Sequence, residues 1–492
     1  MSSLKDFFDK YIKEVALHTE STIDIKRTWT KRFKEGCNSM DIEFQDNNEV
    51  DWEEVEKIIK NARSEATSNK KRSRTSTTSQ TSKSGSWELT EEAKKCFKKE
   101  YTKMENENKW LVRTEAGRKV YLEDLMYEYG MNCSYEHCVH SFIFDPTDDC
   151  WENTLTKKEI EDILKEGNTD LPSLNQSIHD IFNACKKAIL PLEEKEEEED
   201  VEEKEYIKCI WKAVTSLGFF DPDVQPDEDW VQRTLLDYLN MYRRNTLVEL
   251  VANGSEQDFV IRCWSNLDRC FENLGTVARD RTCRSTLVRI NSERKITGLK
   301  PIEEQHSSIR PDFLVMKDGL DFAVGECGKD DLGGISKKEI TERQLHVPKI
   351  MKDILRQTMI KFNHDESLLR TLKIGALNQN STRIQGAVLD CPKGYICRLI
   401  PTSEYTIPQS AAMISVELFK IMKLTLQIKN IVKASIKAVT KYQREQYKKQ
   451  ENPTLITQKS QLADTILQIP QTFTIPNTKK IKTSTSDDIQ RK

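Results

Sequence analysis

Two acidic residues lie 14 positions apart in the string RPDFLVMKDGLDFAVGECGKDD, residues 310–331. Asp312 precedes one apolar run of this string, and Glu326 follows the next. Asp318-Gly319 separates the two runs, and Asp-Gly favours tight β-hairpins because both residues adopt positive φ angles. The sequence therefore predicts a hairpin that brings two carboxylates to one end of a sheet, where their hard oxygen ligands hold a divalent cation.

The register of this hairpin decides whether the two carboxylates meet. If the loop is centred on Gly319, Asp312 and Glu326 are directly opposed and about 5 Å apart. A strict two-residue Asp-Gly turn instead pairs Asp312 with Gly325 and sends Glu326 to the other face of the sheet. The metal hypothesis therefore requires a three-residue connection or a β-bulge.

Two further residues are candidates for the same site. Glu256 lies on the apolar face of a predicted helix, so its side chain is predicted to point toward the core. The helix dipole alone also favours a Glu in the first turn, and this is the alternative interpretation. Lys329 lies three residues after Glu326. A bulge at Gly328 is needed to turn this lysine toward the carboxylates.

The order Pro311-Asp312, Glu326 and a nearby lysine resembles the PD-(D/E)XK, or restriction-endonuclease-like, nuclease superfamily. The chain also resembles a group of uncharacterised fungal proteins with RPDF…GE-type strings, over about residues 110–439. The resemblance implies a core that runs helix, three strands, helix, strand. It also implies that Asp312 and Glu326 bind Mg²⁺, that Lys329 steadies the attacking water and the phosphate, and that Glu256 assists.

The chain departs from the Glu-x-Lys pattern of this family, because Gly328 occupies the position expected for the lysine. If the lysine has moved to 329, the protein is a Mg²⁺-dependent nuclease that hydrolyses phosphodiesters of DNA or RNA. If catalysis has been lost, the domain is a nucleic-acid-binding module. A third hypothesis is a helical interaction scaffold. Under the non-catalytic interpretations, Asp312 and Glu326 are strand-end carboxylates bonded to backbone groups or to Arg310.

Charge is distributed unevenly along the chain. The 492 residues include 76 Lys and Arg against 80 Asp and Glu, a net charge of −4. Residues 281–449 carry 30 basic and 18 acidic residues, a net of +12, so the remainder sums to −16. The basic region is therefore the part predicted to bind nucleic acid.

Basic side chains recur at helical spacing in two predicted helices. They are Lys349, Lys352 and Arg356 in the helix that starts near residue 340, and Lys429, Lys433, Lys437 and Lys441 in the last helix. Both rows are predicted to contact phosphate. The alternative for each row is the solvated face of an amphipathic helix.

Composition predicts six segments. Residues 1–63 are predicted to form a helical region, and residues 64–86 a disordered Ser, Thr and Lys linker. The linker holds the cluster KKRSR, from Lys70 to Arg74, which is a candidate ligand for a nuclear-import receptor. The remaining segments are a helical and mixed domain at 87–190, an acidic linker or charged helix at 191–206, a nuclease-like domain at 207–449 and a flexible tail at 450–492.

The predicted elements run helix, strands, helix, strands, helix. Strands are predicted at 313–316, 320–324, 374–377, 384–389 and 395–400, and long helices at about 340–362 and 410–447. This order predicts an α/β (α+β) fold, with a mixed-sheet core flanked by helices and mainly helical N-terminal regions. No uncharged apolar run reaches about 18 residues, so no membrane span is expected. Scattered cysteines favour a reducing compartment, the nucleus or the cytoplasm.

Five Cys and His residues near the middle of the 87–190 segment raise the question of a zinc site. They are Cys133, His137, Cys138, His140 and Cys150. Structural zinc sites usually combine a Cys-x2–4-Cys pair with a second pair about 12 or more residues further on. No clean second pair is present, so the sequence favours ordinary buried or surface side chains.

Overall fold

The structure is a computed structural model that describes residues 88–167, 169–196, 201–292, 308–329, 337–451 and 467–474, together with Thr30 and Trp52. The described residues from Glu88 onward belong to one compact unit. Apart from Thr30 and Trp52, the predicted helical region 1–63 and the linker 64–86 with its Lys70–Arg74 cluster lie outside the described residues.

A mixed sheet of eight strands forms the centre of this unit. Its strands are β3 (Ile143–Phe144), β4 (Thr276–Ala278), β5 (Phe313–Lys317), β6 (Leu320–Gly325), β7 (Cys327–Gly328), β8 (Lys373–Asn380), β9 (Arg383–Asp390) and β10 (Cys397–Thr406). Their order is β3-β10-β9-β8-β6-β5-β4, with β7 paired to β8. A separate hairpin consists of β1 (Leu111–Glu115) and β2 (Arg118–Tyr121).

The α-helices of the described residues flank this sheet. They are α1 (Glu91–Tyr101), α2 (Leu122–Asn132), α3 (Lys157–Lys165), α4 (Gln176–Glu196), α5 (Glu203–Ser216), α6 (Pro226–Arg243), α7 (Thr246–Asn253), α8 (Glu256–Phe259), α9 (Ser265–Asp268), α10 (Arg284–Asn291), α11 (Lys337–Thr341), α12 (Val347–Lys361), α13 (Glu366–Thr371) and α14 (Phe419–Glu451). The predicted α+β class, a mixed-sheet core flanked by helices, is confirmed.

Burial on both faces explains why the central strands are continuous apolar runs. Every residue of β6 is buried, and so are the first four residues of β5. Helix α12 packs on β6 and β8, and α14 packs on β8 and β9. Gly375 lets α14 approach β8, because a Cβ at this position would lie 2.9 Å from Cγ2 of Ile428.

The two long predicted helices are present but not uniform. Helix α12 is preceded by α11 and by a π-helical segment at Glu342–His346. Helix α14 follows a 3₁₀ turn at Ala411–Met413 and a second π-helical segment at Ile414–Leu418. π-Helical segments often occur at functional sites, and the first of these segments lines the cleft described below.

The 87–190 segment contributes a strand to the same sheet as the 207–449 segment. Strand β3 pairs in parallel with β10, with Ile143 opposite Cys397 and Phe144 opposite Arg398. A two-residue strand carries no periodic signal, so the sequence pattern could not reveal this pairing.

Two predicted linker regions also contain ordered structure. The described parts of 191–206 are helical up to Glu196 and again from Glu203. Within the predicted flexible tail, residues 467–474 pack on the core, where Phe473 is buried and its ring centroid lies 5.3 Å from that of His140. Among the described helices, none has the length and apolar character that crossing a membrane requires.

Candidate active site

The predicted Asp-Gly turn joins β5 and β6. Lys317 pairs with Leu320 across it, and Asp318 and Gly319 have φ angles of 51° and 76°. This is the two-residue connection that, by itself, would send Glu326 to the opposite face of the sheet.

A β-bulge within the hairpin reverses that outcome. The register shifts by one residue next to Val315, so Phe313 pairs with Gly325. Continuing this register by one pair places Asp312 opposite Glu326, on the same face of the sheet. The bulge that the metal hypothesis required is therefore present, and the two carboxylates are neighbours.

Two hydrogen bonds hold Asp312, one to its side chain from a backbone N–H and one to its carbonyl from an arginine side chain. Its Oδ2 atom accepts a hydrogen bond of 2.8 Å from the backbone N–H of Cys327, and Arg279 Nη1 donates to the Asp312 carbonyl at 3.3 Å. A bond to backbone was also expected if Asp312 were only a strand-end carboxylate. These contacts fix the orientation of the carboxylate beside Glu326.

The environment of Glu326 strongly disfavours its ionised form. Burial, the Asp312 carboxylate and the Glu342 carboxylate together raise the pKa of Glu326 to about 9. Without a cation, Glu326 therefore keeps its proton at neutral pH. A bound divalent cation reverses this preference, because it stabilises the carboxylate that burial and like charge destabilise.

Helix α11 and the π-helical segment after it bring a lysine and a second glutamate to the same place. Lys338 Nζ lies 3.2 Å from Oε2 of Glu256 and 3.7 Å from Oε1 of Glu342. Burial raises the pKa of Glu342 to about 7, although the ammonium group of Lys338 opposes this shift. Glu342 therefore exchanges a proton near neutral pH, as a general base requires.

Glu326, Lys338 and Glu342 line a small cleft, whereas Asp312 and Glu256 are not among its lining residues. Its walls combine acidic, basic and amide side chains around the backbone of Gly328. They are Glu326, Lys338, Glu339, Glu342, Arg343, Asn378, Gln379, Asn380, Arg383 and Glu404.

The donor set of the cleft fits a hard divalent cation. Among the described residues, the Oδ1 atom of Asn378 is buried without a hydrogen-bond partner, and Asn378 lines the same cleft as Glu326. Carboxylate and amide oxygens are ligands for Mg²⁺ and Mn²⁺. In the described part of the chain, Asp312 and Glu326 do not belong to a group of three His, Cys, Asp or Glu residues whose ligand atoms all lie within 4.8 Å of one another.

Alternating charges hold one wall of the cleft. Glu339 lies 2.9 Å from Arg343 and 2.8 Å from Arg383, and Glu404 lies 2.7 Å from Arg343. In this network each carboxylate has a cationic partner, unlike Glu326. The network fixes two guanidinium groups at the edge of the cleft.

The prediction for Lys329 is wrong, because Gly328 does not form a bulge. The backbone N–H groups of Gln379 and Ser381 donate to the carbonyls of Glu326 and Gly328 at 2.9 and 2.8 Å, which is a regular parallel ladder. Lys329 is not among the residues that line the cleft. Hydrogen bonds from Ser255 lower the pKa of Asp258, and the charges of Arg262 and Lys329 add to this shift. In the described chain, the lysine that lines the cleft is Lys338.

Glu256 lies near the site but not where it was predicted. It begins α8, and the predicted capping box between Ser255 and Asp258 is present. Its side chain is 45% exposed and bonds to Lys338, so it lies at the rim of the cleft and not in the core. The helix is interrupted by a π-helical segment at Val260–Trp264, which breaks the simple helical periodicity that the prediction assumed.

The basic row on α12 is not a nucleic-acid surface. Lys349 pairs with Glu136, and Lys352 is fully buried and donates to the Ser141 carbonyl. Burial lowers the pKa of Arg356, which is half-buried. The predicted phosphate contacts are wrong because α12 is covered on the face that carries these residues.

The basic row on α14 is divided. Lys429 is buried and pairs with Asp227, so its predicted phosphate contact is wrong. Lys433 is half-buried, and Lys437 and Lys441 are exposed. The second half of this row is therefore available to a partner, and its contact with nucleic acid stays a prediction.

Sequence reasoning missed Lys338, Glu342 and Asn378. Lys338 and Glu342 are four residues apart, a spacing that places them on one face of a helix, but Lys338 precedes the helix predicted at about 340–362. The spacing does not show that the helical face with Lys338 and Glu342 packs beside the β5–β6 hairpin. Asn378 follows the predicted strand 374–377 and lies within the longer β8, and its position in the cleft depends on the pairing of β6 with β8.

No protein-family model matches the chain, and neither a curated protein nor a solved structure does. A functional assignment must therefore be argued from the cleft itself.

Proposed function

We propose that the protein is a Mg²⁺- or Mn²⁺-dependent nuclease that hydrolyses phosphodiester bonds of DNA or RNA in the cleft beside Glu326. The observation that carries the proposal is the pair of neighbouring carboxylates, Asp312 and Glu326, with Lys338 and Glu342 in the same site. Carboxylates that share a buried site and lack a cationic partner of their own are costly unless a cation binds.

The order of elements around the cleft supports this assignment. A helical segment from Glu256 is followed by β4, α10, the hairpin strands β5 and β6, the short strand β7, helices α11 to α13 and then β8, which is parallel to β6. Strand β4 pairs antiparallel with β5, although α10 is inserted between them in the chain. Helix, three strands, helix, strand is the order that the resemblance to the PD-(D/E)XK superfamily implies. Fold similarity alone does not define an activity, so the residues of the site must carry the argument.

Lys338 takes the role that the resemblance implied for Lys329. Gly328, at the expected position of the lysine, lines the cleft but has no side chain. A Cβ at Gly328 would lie 3.0 Å from Oδ1 of Asn380, so a longer side chain there requires Asn380 to move. The ammonium group reaches the cleft from α11 instead.

The geometry defines a role for each residue. A divalent cation, when bound, polarises the phosphodiester and lowers the pKa of a water molecule. Asp312 and Glu326 hold this cation at the end of the hairpin. Glu342, with a pKa raised by burial to about 7, accepts the proton of the attacking water. Lys338 stabilises the negative charge that develops on the phosphate oxygens.

A second candidate function is a nucleic-acid-binding module without catalysis. The observation that favours it is that Lys338 is already engaged by Glu256 and Glu342. If these contacts persist when nucleic acid binds, the ammonium group does not reach the phosphate, and the protein binds without cutting.

Cleavage of labelled duplex DNA, single-stranded DNA and RNA tests the proposal, with Mg²⁺ or Mn²⁺ and with chelator. The variants are Asp312→Asn and Glu326→Gln. Asp318→Asn is the matched control, because it removes the same charge from the exposed turn of the same hairpin, where Asn tolerates the positive φ.

We expect metal-dependent cleavage that falls by about 100-fold or more in both site variants and stays unchanged in the control. Binding without cleavage under every metal condition would favour the second candidate. Neither binding nor cleavage would reject both and leave the interaction scaffold as the best remaining hypothesis.

A further inference from the structure

A second cluster of metal-ligand side chains lies in the 87–190 segment, after α2. Among the described residues, His137, Asp148 and Cys150 form the group whose candidate ligand atoms all lie within 4.8 Å of one another. All three residues are half-buried. They come from two segments on either side of β3, so the sheet edge brings them together.

The contacts within the cluster show how close it is to a coordination geometry. His137 Nε2 lies 2.8 Å from Asp148 Oδ2, while Asp148 Oδ1 accepts from the backbone N–H of Cys150 at 3.0 Å. Two ligand atoms bonded to one tetrahedral Zn²⁺ at about 2.1 Å lie about 3.4 Å apart. A small separation of the imidazole and the carboxylate therefore makes room for the ion.

Coordination of a metal ion by the His137 imidazole gives up only a weak hydrogen bond at Nδ1. The Nδ1 atom of His137 accepts from the backbone N–H of Val139 at 3.4 Å, which is near the upper limit for a hydrogen bond. Coordination through Nε2 places the ring proton on Nδ1 and gives up this weak bond. The stronger Nε2 contact to Asp148 is replaced by two bonds to the metal.

The chemistry of the donors selects a different metal from the one proposed for the cleft. An imidazole nitrogen, a carboxylate oxygen and a cysteine sulfur suit Zn²⁺, whereas Mg²⁺ prefers oxygen ligands alone. With Cys150 as a thiolate and Asp148 ionised, three ligands neutralise the charge of the ion.

Cys133 is placed to supply a fourth ligand. It follows the last residue of α2, and its thiol donates to the Tyr129 carbonyl at 3.4 Å. Burial and the nearby Cys150 and Cys133 thiols raise the pKa of the Tyr129 hydroxyl, so both thiols lie near this one side chain. Cys133 lies outside the group whose ligand atoms are within 4.8 Å of one another. Its side chain would therefore have to rotate and lose its thiol proton to solvent, giving up a weak S–H···O contact for a metal bond.

We propose that His137, Asp148, Cys150 and Cys133 form a structural Zn²⁺ site that ties the end of α2 to the segments flanking β3. A site with four protein ligands leaves no open position for a substrate. Its effect would be to fix the edge strand β3 against β10, where only two residue pairs are formed. The site is independent of the proposed nuclease activity.

Metal analysis of the full-length protein tests this inference, after expression without chelator and removal of any affinity tag. The variants are Cys150→Ser and Asp148→Asn. Cys209→Ser is the matched control, since Cys209 is also half-buried but lies on α5, outside the cluster. Zinc is quantified by mass spectrometry, and Co²⁺ replaces it to report thiolate coordination by its charge-transfer absorbance.

We expect about one zinc per chain in the parent and in Cys209→Ser, and at least a tenfold weaker affinity in both site variants. Cys133→Ser should weaken binding and reduce the thiolate absorbance of the Co²⁺ form. If Cys150→Ser does not fold, zinc release from the folded parent on thiol modification provides the same readout. A parent that neither contains zinc nor gives the Co²⁺ thiolate band, or site variants that retain full zinc affinity, would overturn the proposal.

Discussion

Asp390 and Glu326 are both carboxylates at strand ends of one sheet, but their neighbours carry opposite charges. Asp390 ends β9, and Arg398 on β10 donates to both of its oxygens, from Nε at 3.1 Å and from Nη2 at 2.8 Å. Arg398 is fully buried, at 0% exposure, and its Nη1 atom also donates to the Ile163 and Leu164 carbonyls.

Glu326 instead faces Asp312 and Glu342, and its pKa rises to about 9 as a result of burial and these like charges. In a buried bidentate pair such as Asp390–Arg398, each charge is compensated by the opposite charge of its partner. Among the described residues, Asp312 and Glu326 form no such ion pair, so a proton or a bound cation is needed to offset their negative charge. The Asp390–Arg398 pair therefore contributes to the stability of the fold, whereas the Asp312–Glu326 pair has the properties expected of a cation-binding site.

The largest expected effect is a loss of stability when the Asp390–Arg398 pair is disrupted. Arg398→Leu should lower the free energy of unfolding by about 3–5 kcal/mol, because it leaves Asp390 buried without its cation. Urea denaturation monitored by tryptophan fluorescence measures the loss. Lys393→Ala is the control, since its contact with Glu166 is 3.7 Å long and both side chains are exposed. It should change stability by no more than about 0.5 kcal/mol. An equally small loss in Arg398→Leu would show that Asp390 is not dependent on its partner.

The next effect concerns the single ammonium group described in the cleft. Lys338→Met should reduce metal-dependent cleavage by about 100-fold, because it removes the cation that faces the phosphate. Lys337→Met, its exposed neighbour on α11, and Lys329→Met should retain near-parental rates. Initial rates at saturating substrate measure the change. A loss in Lys329→Met without one in Lys338→Met would return the catalytic role to Lys329.

Replacing the ionisable carboxyl group of Glu326 by an amide should stabilise the metal-free protein. Since the folded pKa is about 9 and the ordinary value is 4.5, folding is increasingly penalised as the pH rises between these values. Glu326→Gln should therefore raise Tm by about 2 °C or more at pH 8, with no comparable gain at pH 4.5. Thermal unfolding at both pH values gives the comparison.

Mg²⁺ provides the complementary measurement on the same variant. At pH 8 the ion should raise the Tm of the parent but not that of Glu326→Gln, because the variant lacks the carboxylate that the ion stabilises. If Glu326→Gln raised Tm by the same amount at pH 4.5 and at pH 8, the gain would not come from the titration of Glu326.

The smallest effect concerns the exposed half of α14. Replacement of Lys433, Lys437 and Lys441 by Gln should weaken nucleic-acid binding and reduce the salt slope by about one for each phosphate that these lysines neutralise. Exposed lysines on α1 supply the control set, Lys95, Lys98 and Lys99. Fluorescence anisotropy at several salt concentrations measures both slopes. Equal slopes for the two triple variants would remove α14 from the interface.

Local sequence signals predicted the elements of the cleft correctly. The Asp318-Gly319 turn, the strands on either side of it and the Ser255–Asp258 capping box depend on neighbouring residues, and all are present. Turn chemistry, capping and periodicity are local properties, so one sequence is sufficient to read them.

The sequence could not predict which charged residues the tertiary structure buries. Lys352 and Lys429 have the same spacing as solvated lysines, yet both are buried against other elements. Spacing along a helix defines a face, but only packing decides whether that face meets water or protein. For the same reason, the sequence could not show that His137 lies next to Asp148.

By itself the sequence determined two carboxylates at the ends of a hairpin and the mixed fold around them. The tertiary structure alone decided that they share one face, because the bulge beside Val315 restores the register that the two-residue turn shifts. It also decided which lysine joins them, since Lys338 enters from a helix that follows the hairpin in the chain. Register and helix docking depend on contacts between distant residues, and no local pattern encodes those contacts.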